Sequence, residues 1–173
     1  MSKARTFVGE FIRISQYSIT LRDGSKALKD RVEHPDSVVI LANPTPSQVI
    51  LVHQFRPVIG CHLWELPAGK MLADETPRRA ALRELKEETG YGARSIRRIL
   101  RFFPAPGVLT ECLHLYRATG LKAGRTRMDP DEDMTTHVLD RRSVKRMVDS
   151  GEILDGKSLI GLNVWFRAGR TST

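Results

Sequence analysis

Residues 69–91 read GKMLADETPRRAALRELKEETGY, and no other stretch constrains the chain as tightly. Thr76 is a good N-cap, and Pro77 suits the first helical position, where a missing N–H has no partner to lose. Gly90 is a natural terminator. Ala80, Ala81, Leu82 and Leu85 form an apolar stripe, so Pro77 to Thr89 is expected to be a helix with one face on a core. Residues three and four apart share a helix face, which gathers Glu84, Glu87 and Glu88. Like charges placed this way repel by roughly a few tenths of a kcal/mol per pair. A divalent cation is the natural counterweight. Hard ions such as Mg²⁺ bind through one or two carboxylates and complete their shell with substrate phosphates. The stretch therefore predicts metal-assisted chemistry on a phosphorylated substrate.

The rest of the composition narrows the partners. Lys and Arg number 28 against 20 Asp and Glu, a net charge of +8 that favours anions. Basic residues cluster at Arg78, Arg79 and Arg83, and again at Arg94, Arg97, Arg98 and Arg101. No aromatics interleave with them and no nucleic-acid motif accompanies them, so they read as a solvated basic surface, and nucleic acid is not the expected partner. No apolar run approaches the ~20 residues of a membrane span, and the start MSKARTFVGEFIR lacks a secretory signal. Cys61 and Cys112 have neither CxxC nor zinc-type spacing and read as reduced thiols of a cytoplasmic protein. His34, His53, His62, His114 and His137 form no ligand spacing and read as ordinary structural or surface residues.

Residues 1–35 alternate apolar and polar groups around Arg22-Asp23-Gly24, which predicts a hairpin or small antiparallel sheet. Val38 to Ala42 reads as a buried strand, Asn43-Pro44-Thr45-Pro46 as a turn, and Gln48 to Val52 as a returning strand. A further strand is expected at Leu113–Tyr116, and helices at Ser143–Asp149 and Ser158–Phe166. Mixed strands and helices of this kind predict an α/β sandwich in one compact domain.

The acidic stretch resembles the Nudix box, Gly-x5-Glu-x7-Arg-Glu-U-x-Glu-Glu-x-Gly-U with U bulky and apolar. Gly69, Glu75, Arg83, Glu84, Leu85, Glu87, Glu88, Gly90 and Tyr91 occupy its positions in order. Outside the box, His34-Pro35, Gln54-Phe55-Arg56-Pro57, Trp64 to Gly69, Pro104-Ala105-Pro106-Gly107 with Glu111, and Gly151 to Lys157 resemble landmarks of the ADP-ribose pyrophosphatase branch. Pro106, 16 residues beyond Gly90, has that group's spacing. Two departures are Ala105, where Ser is usual, and Thr135-Thr136-His137, which replaces a more apolar and acidic segment.

The resemblance implies a Nudix-type α/β/α sandwich with a mixed sheet and a small N-terminal antiparallel sheet. Residues 1–35 would form the dimerising β segment and 36–173 the hydrolase domain. It implies Mg²⁺, with Mn²⁺ as a substitute, held by Glu84, Glu88, Glu87 and the backbone carbonyl of Ala68. Gly69, Glu75, Arg83 and Gly90 would be structural parts of the box, with Arg83 and Glu75 paired as a brace. A general base is implied on a downstream loop, where Glu132 is the first choice ahead of Asp131 and Asp133; Glu87 is a second catalytic candidate. Arg56 would meet the diphosphate, Glu65 and Glu111 the nucleotide and the terminal ribose, and Lys29 a phosphate from the partner subunit of a homodimer. Phe11 or Tyr17 would offer an aromatic face to adenine. The implied reaction is hydrolysis of ADP-ribose to AMP and ribose 5-phosphate. Another nucleoside diphosphate sugar, such as GDP-mannose or ADP-glucose, is the alternative, and a non-catalytic nucleotide- or RNA-binding module the distant one.

Overall fold

The computed structural model describes residues 6–124 and 133–168. The chain runs through strands β1 (Thr6–Val8), β2 (Arg13–Thr20), β3 (Lys26–Glu33), β4 (Ser37–Asn43), β5 (Gln48–Arg56), β6 (Cys61–Glu65) and β7 (Ala68–Lys70). Helix α1 (Pro77–Thr89) follows, then β8 (Gly92–Phe102), β9 (Leu113–Lys122), β10 (Met134–Asp140), α2 (Arg141–Asp149) and α3 (Gly156–Ala168).

Strand β4 is the axis. It pairs parallel with β9 and antiparallel with β7, inside a mixed sheet ordered β7-β4-β9-β8. All seven of its residues are buried, as expected of a strand covered on both faces. Alternation sends Val39 and Leu41 toward Leu113, Leu115, Leu162 and Trp165, the α3 side. Val38, Ile40 and Ala42 go to the opposite layer, against Ala80, Ala81 and Leu85 of α1. A helix on each face makes the arrangement an α/β/α sandwich. A second sheet, β10-β5-β6, is antiparallel throughout.

The N-terminal strands form a separate antiparallel sheet, β1-β2-β3. Its hairpin turns at Gly24, whose φ of 82° suits a residue without a β carbon. Asp23 accepts hydrogen bonds there from both the amide and the hydroxyl of Ser25. This sheet meets the body through Val32, whose amide donates to Val108 (2.8 Å) and whose carbonyl accepts from Thr110 (3.0 Å). Phe7, Val8, Tyr17 and Leu28 remain exposed on it.

Helix α1 starts and stops where the sequence predicts. The Thr76 side chain accepts from Arg79 N–H, and Gly90 at φ 74° returns its own N–H to the Lys86 carbonyl. The other two helices are longer than expected at their starts. Asp140 caps α2 by accepting from the amides of Arg142 and Ser143, and Asp155 accepts from Ser158 N–H at the head of α3. Four strands, β6, β7, β8 and β10, were not anticipated. In β8 the apolar alternation breaks at a register shift between Arg98 and Leu100, so its arginines read as a charge cluster. In β10 the polar run Thr135-Thr136-His137 forms the edge strand beside β5, paired with His53, Val52 and Leu51.

One buried polar chain ties α3 to the loop before β7. The Leu66 amide donates to Ser158 Oγ (2.6 Å), and Ser158 Oγ donates to Asp155 Oδ2 (2.5 Å). Ser158 is fully buried. Replacing Ser158→Ala leaves the Leu66 N–H without a partner, and is expected to cost about 1–3 kcal/mol in denaturant unfolding. An unchanged midpoint would show that this link carries no stability.

Candidate active site and metal centre

Arg83 organises the acidic face. Its Nε and Nη2 donate to the two oxygens of Glu75 (3.1 and 2.9 Å), a forked pair across the loop that precedes α1. Nη1 donates to Glu84 (2.7 Å) and Glu87 (2.9 Å), and Nη2 also reaches the Lys70 carbonyl (2.9 Å). One guanidinium thus joins three carboxylates and the end of β7. Its hydrogen bonds to Glu75 and the nearby Glu84 and Glu87 raise the Arg83 pKa far above its ordinary range. The same bonds hold Glu75 below the usual carboxylate range.

Glu84 lies directly against β7. A β carbon built on Gly69 would overlap the Glu84 carboxylate, so glycine at that position is what admits the side chain. Glu88 is buried, and its Oε2 accepts from the Ala68 N–H (3.1 Å). Thr136 donates to the Glu88 carbonyl (3.1 Å), fixing the end of α1 against β10. Glu87 is more exposed, on the outer side of the cluster. The structure therefore sets Glu84 against Gly69 and Glu88 against the Ala68 amide at the end of β7, with Glu87 farther out beside Arg83. An all-oxygen donor set of this kind fits a hard divalent cation.

The corner opens into a cleft of about 680 Å³, within the size range of small-molecule sites. Ala68, Gly69 and Glu88 line one end; Arg56, Gln54 and Lys157 line another. Arg56 holds Glu65 through two bonds of 2.7 Å, and Lys157 makes a close contact to the same carboxylate. Burial alone would push Glu65 upward in pKa, but Arg56 and Lys157 more than offset it, and Glu65 stays ionised below its usual range. Its hydrogen bond to Glu65 in turn raises Arg56. Glu65 is 1% exposed and sits behind the two cations rather than on the cleft wall. The resemblance implies a substrate contact for Glu65; in this structure its carboxylate is taken up by Arg56 and Lys157.

Glu111 reaches the cleft, accepting from the Ser37 hydroxyl (2.5 Å) with His34 Nδ1 3.5 Å away. Phe11 also lines it, its ring edge-on to His34 and 3.8 Å from Lys70 Nζ. Tyr17 and Lys29 face each other across β2 and β3 and do not line the cleft of their own chain. Glu132 and Asp131 lie outside the described residues. Asp133 is described, exposed, with a carboxylate oxygen 3.5 Å from His62. Sequence reasoning did not single out Ser37, Lys70 or Lys157 as site residues. Lys157 alone had a legible signal, as the last residue of the Gly151–Lys157 stretch, two positions after Asp155.

If the Gly69 cradle sets the position of Glu84, Gly69→Ala is expected to weaken Mg²⁺ binding by roughly 10–100-fold, the range for losing a group that orients a ligand. Calorimetric titration of the folded variant measures this. An affinity equal to that of the wild type would show that Glu84 needs no such seat.

The model for the NUDIX domain matches residues 33–152. An ADP-ribose pyrophosphatase of Bacillus subtilis (strain 168) is 32% identical over 160 residues, covering 91% of this chain and 86% of the relative. A GDP-mannose pyrophosphatase of Salmonella arizonae is 32% identical over 165 residues, covering 88% and 85%. A solved structure described as an ADP compounds hydrolase superposes with a TM-score of 0.84 over 99% of this chain and 95% of that one, at 17% identity, which is a likeness of fold. Because the matched span holds the whole acidic helix together with Arg56, Glu65 and Glu111, the chain belongs to the Nudix family.

Proposed function

We propose that the protein hydrolyses the diphosphate bond of ADP-ribose, releasing AMP and ribose 5-phosphate. One observation carries the reading: Glu88 and Ala68, at the end of the acidic face that also bears Glu84 and Glu87, line the same cleft as the cations Arg56 and Lys157. Mg²⁺, or Mn²⁺ in its place, would be held by those four residues; when bound it neutralises phosphate oxygens and lowers the pKa of a coordinated water.

The chain's own residues supply the rest. Glu65 keeps the Arg56 fork and Lys157 aligned at the cleft wall, so a diphosphate enters a site already set for it. Phe11 offers a ring at the cleft mouth for a base, and Glu111 with Ser37 offers acceptor and donor groups for sugar hydroxyls. Arg83 and Glu75 brace the loop and leave the chemistry to others. Glu132 is our choice of general base, taking a proton from the attacking water as a P–O bond forms and the bridging oxygen leaves. A GDP-mannose or ADP-glucose preference is the second reading, favoured by the similarity to a GDP-mannose pyrophosphatase.

We also assign residues 1–35 to dimerisation and 36–173 to the hydrolase domain. A three-stranded sheet that leaves Phe7, Val8 and Leu28 more than half exposed needs a cover, and a second copy supplies one. Lys29 would then approach the partner's cleft. No helix among the described residues is long and apolar enough to cross a membrane. A cytoplasmic site fits the free thiols of Cys61 and Cys112.

Initial rates with ADP-ribose, GDP-mannose and ADP-glucose, each with and without Mg²⁺, test the substrate. ADP-ribose is expected to lead; a large GDP-mannose preference, or no turnover of any, overturns that choice. Glu132→Gln is expected to lower kcat by roughly 10²–10⁴-fold with little change in KM. Turnover like that of the wild type would remove Glu132 from the mechanism. Leu28→Asp is expected to shift the sedimentation coefficient from dimer to monomer. A wild-type chain that sediments as a monomer would refute the dimer.

A further inference from the structure

A second cluster of ligating side chains lies apart from the acidic helix. Asp36, just before β4, and Cys112 and His114, at the start of β9, bring a carboxylate oxygen, a thiol and an imidazole nitrogen within 4.8 Å of one another. Cys112 and His114 are two apart along extended chain and so project to the same side. Both are buried, at 7% exposure, whereas the Asp36 side chain is 42% exposed and leaves a route from solvent. Asp36 holds the group together. One oxygen accepts the Cys112 amide (3.1 Å) and the other lies 3.0 Å from His114 Nε2. The nitrogen turned to the cluster is Nε2; the other, Nδ1, is buried with no hydrogen-bond partner among the described residues and would not meet the same ion.

We propose that Asp36, Cys112 and His114 form a binding site for a borderline-soft divalent cation of the Zn²⁺ class, separate from the hard-cation corner on α1. Ligand chemistry separates the two sites. A thiolate and an imidazole select zinc-like ions, while carboxylate and carbonyl oxygens suit magnesium. Distance also fits. An oxygen and a nitrogen 3.0 Å apart can both lie about 2.0–2.1 Å from one ion. Tetrahedral coordination places sulfur and nitrogen ligands about 3.6 Å apart, so a pair at the 4.8 Å bound would close by about 1 Å at most on loading. Three protein ligands leave a fourth position for water or an anion. The site is also coupled to the cleft by chain connectivity, since Cys112 follows Glu111 and Asp36 precedes Ser37, the pair hydrogen-bonded at the cleft wall.

The test uses the full chain with Mg²⁺ in excess, titrated with Co²⁺ as a spectroscopic stand-in and then with Zn²⁺. A thiolate-to-cobalt absorption band that saturates at one ion per chain and is bleached by Zn²⁺ is expected. Cys112→Ser is expected to abolish the band and His114→Ala to weaken Zn²⁺ by at least ~10-fold, the smallest loss typical even of outer partners. Cys61→Ser and Glu88→Gln are expected to leave the band intact, which separates this site from the other thiol and from the α1 corner. No sulfur band in the wild type, or one that persists in Cys112→Ser, overturns the proposal. Should Cys112→Ser not fold, alkylation of the wild type decides: Zn²⁺ is expected to slow modification of Cys112 while leaving Cys61 unprotected, and equal rates overturn the site.

Discussion

The Arg83 guanidinium is the interaction on which the site depends. Three carboxylates within one helical turn and a half repel each other, and Arg83 meets that repulsion by bonding Glu84 and Glu87 while its other edge forks onto Glu75. The counter-charge is therefore partly built into the protein. Glu84 and Glu87 are thereby held in place by the protein itself. A lysine could not replace Arg83, since a point charge lacks the planar fork that reaches four partners at once.

The same device recurs at the opposite end of the cleft with the charges reversed. There one buried carboxylate, Glu65, holds two cations, and its ionisation survives burial because Arg56 and Lys157 more than offset the desolvation. Asp155 extends the chain of contacts to Ser158 and through it to the Leu66 amide. Helix α3, whose sequence carries no chemistry beyond Lys157, thereby fixes the strand-to-loop passage that leads to Ala68 and Gly69. Packing supports this: Leu162 and Trp165 bury the far side of α3 against Val39 and Leu41 of β4.

Much of the fold was legible because local signals and core periodicity agree. Thr76, Pro77 and Gly90 bound α1 as their capping chemistry dictates, and the continuous apolar run of β4 matches a strand covered on both faces. Strands β8 and β10 were not legible. A bulge breaks the alternation of β8, and β10 owes its strand to pairing with β5 rather than to its own polar residues. The burial of Glu65 behind Arg56 was not legible either, because it depends on how β5 and β6 pair.

The sequence by itself determined the acidic helix, its caps and the set of carboxylates it carries, since spacing along a helix is local geometry. Only the tertiary structure decided what those groups meet. It brought Glu75 to Arg83, admitted Glu84 beside Gly69, drew Lys157 to Glu65 across 92 positions of chain, and set Asp36 next to His114. Such contacts follow from parallel pairing of β4 with β9 and from the seating of two helices on that sheet. A linear spacing rule sees neither.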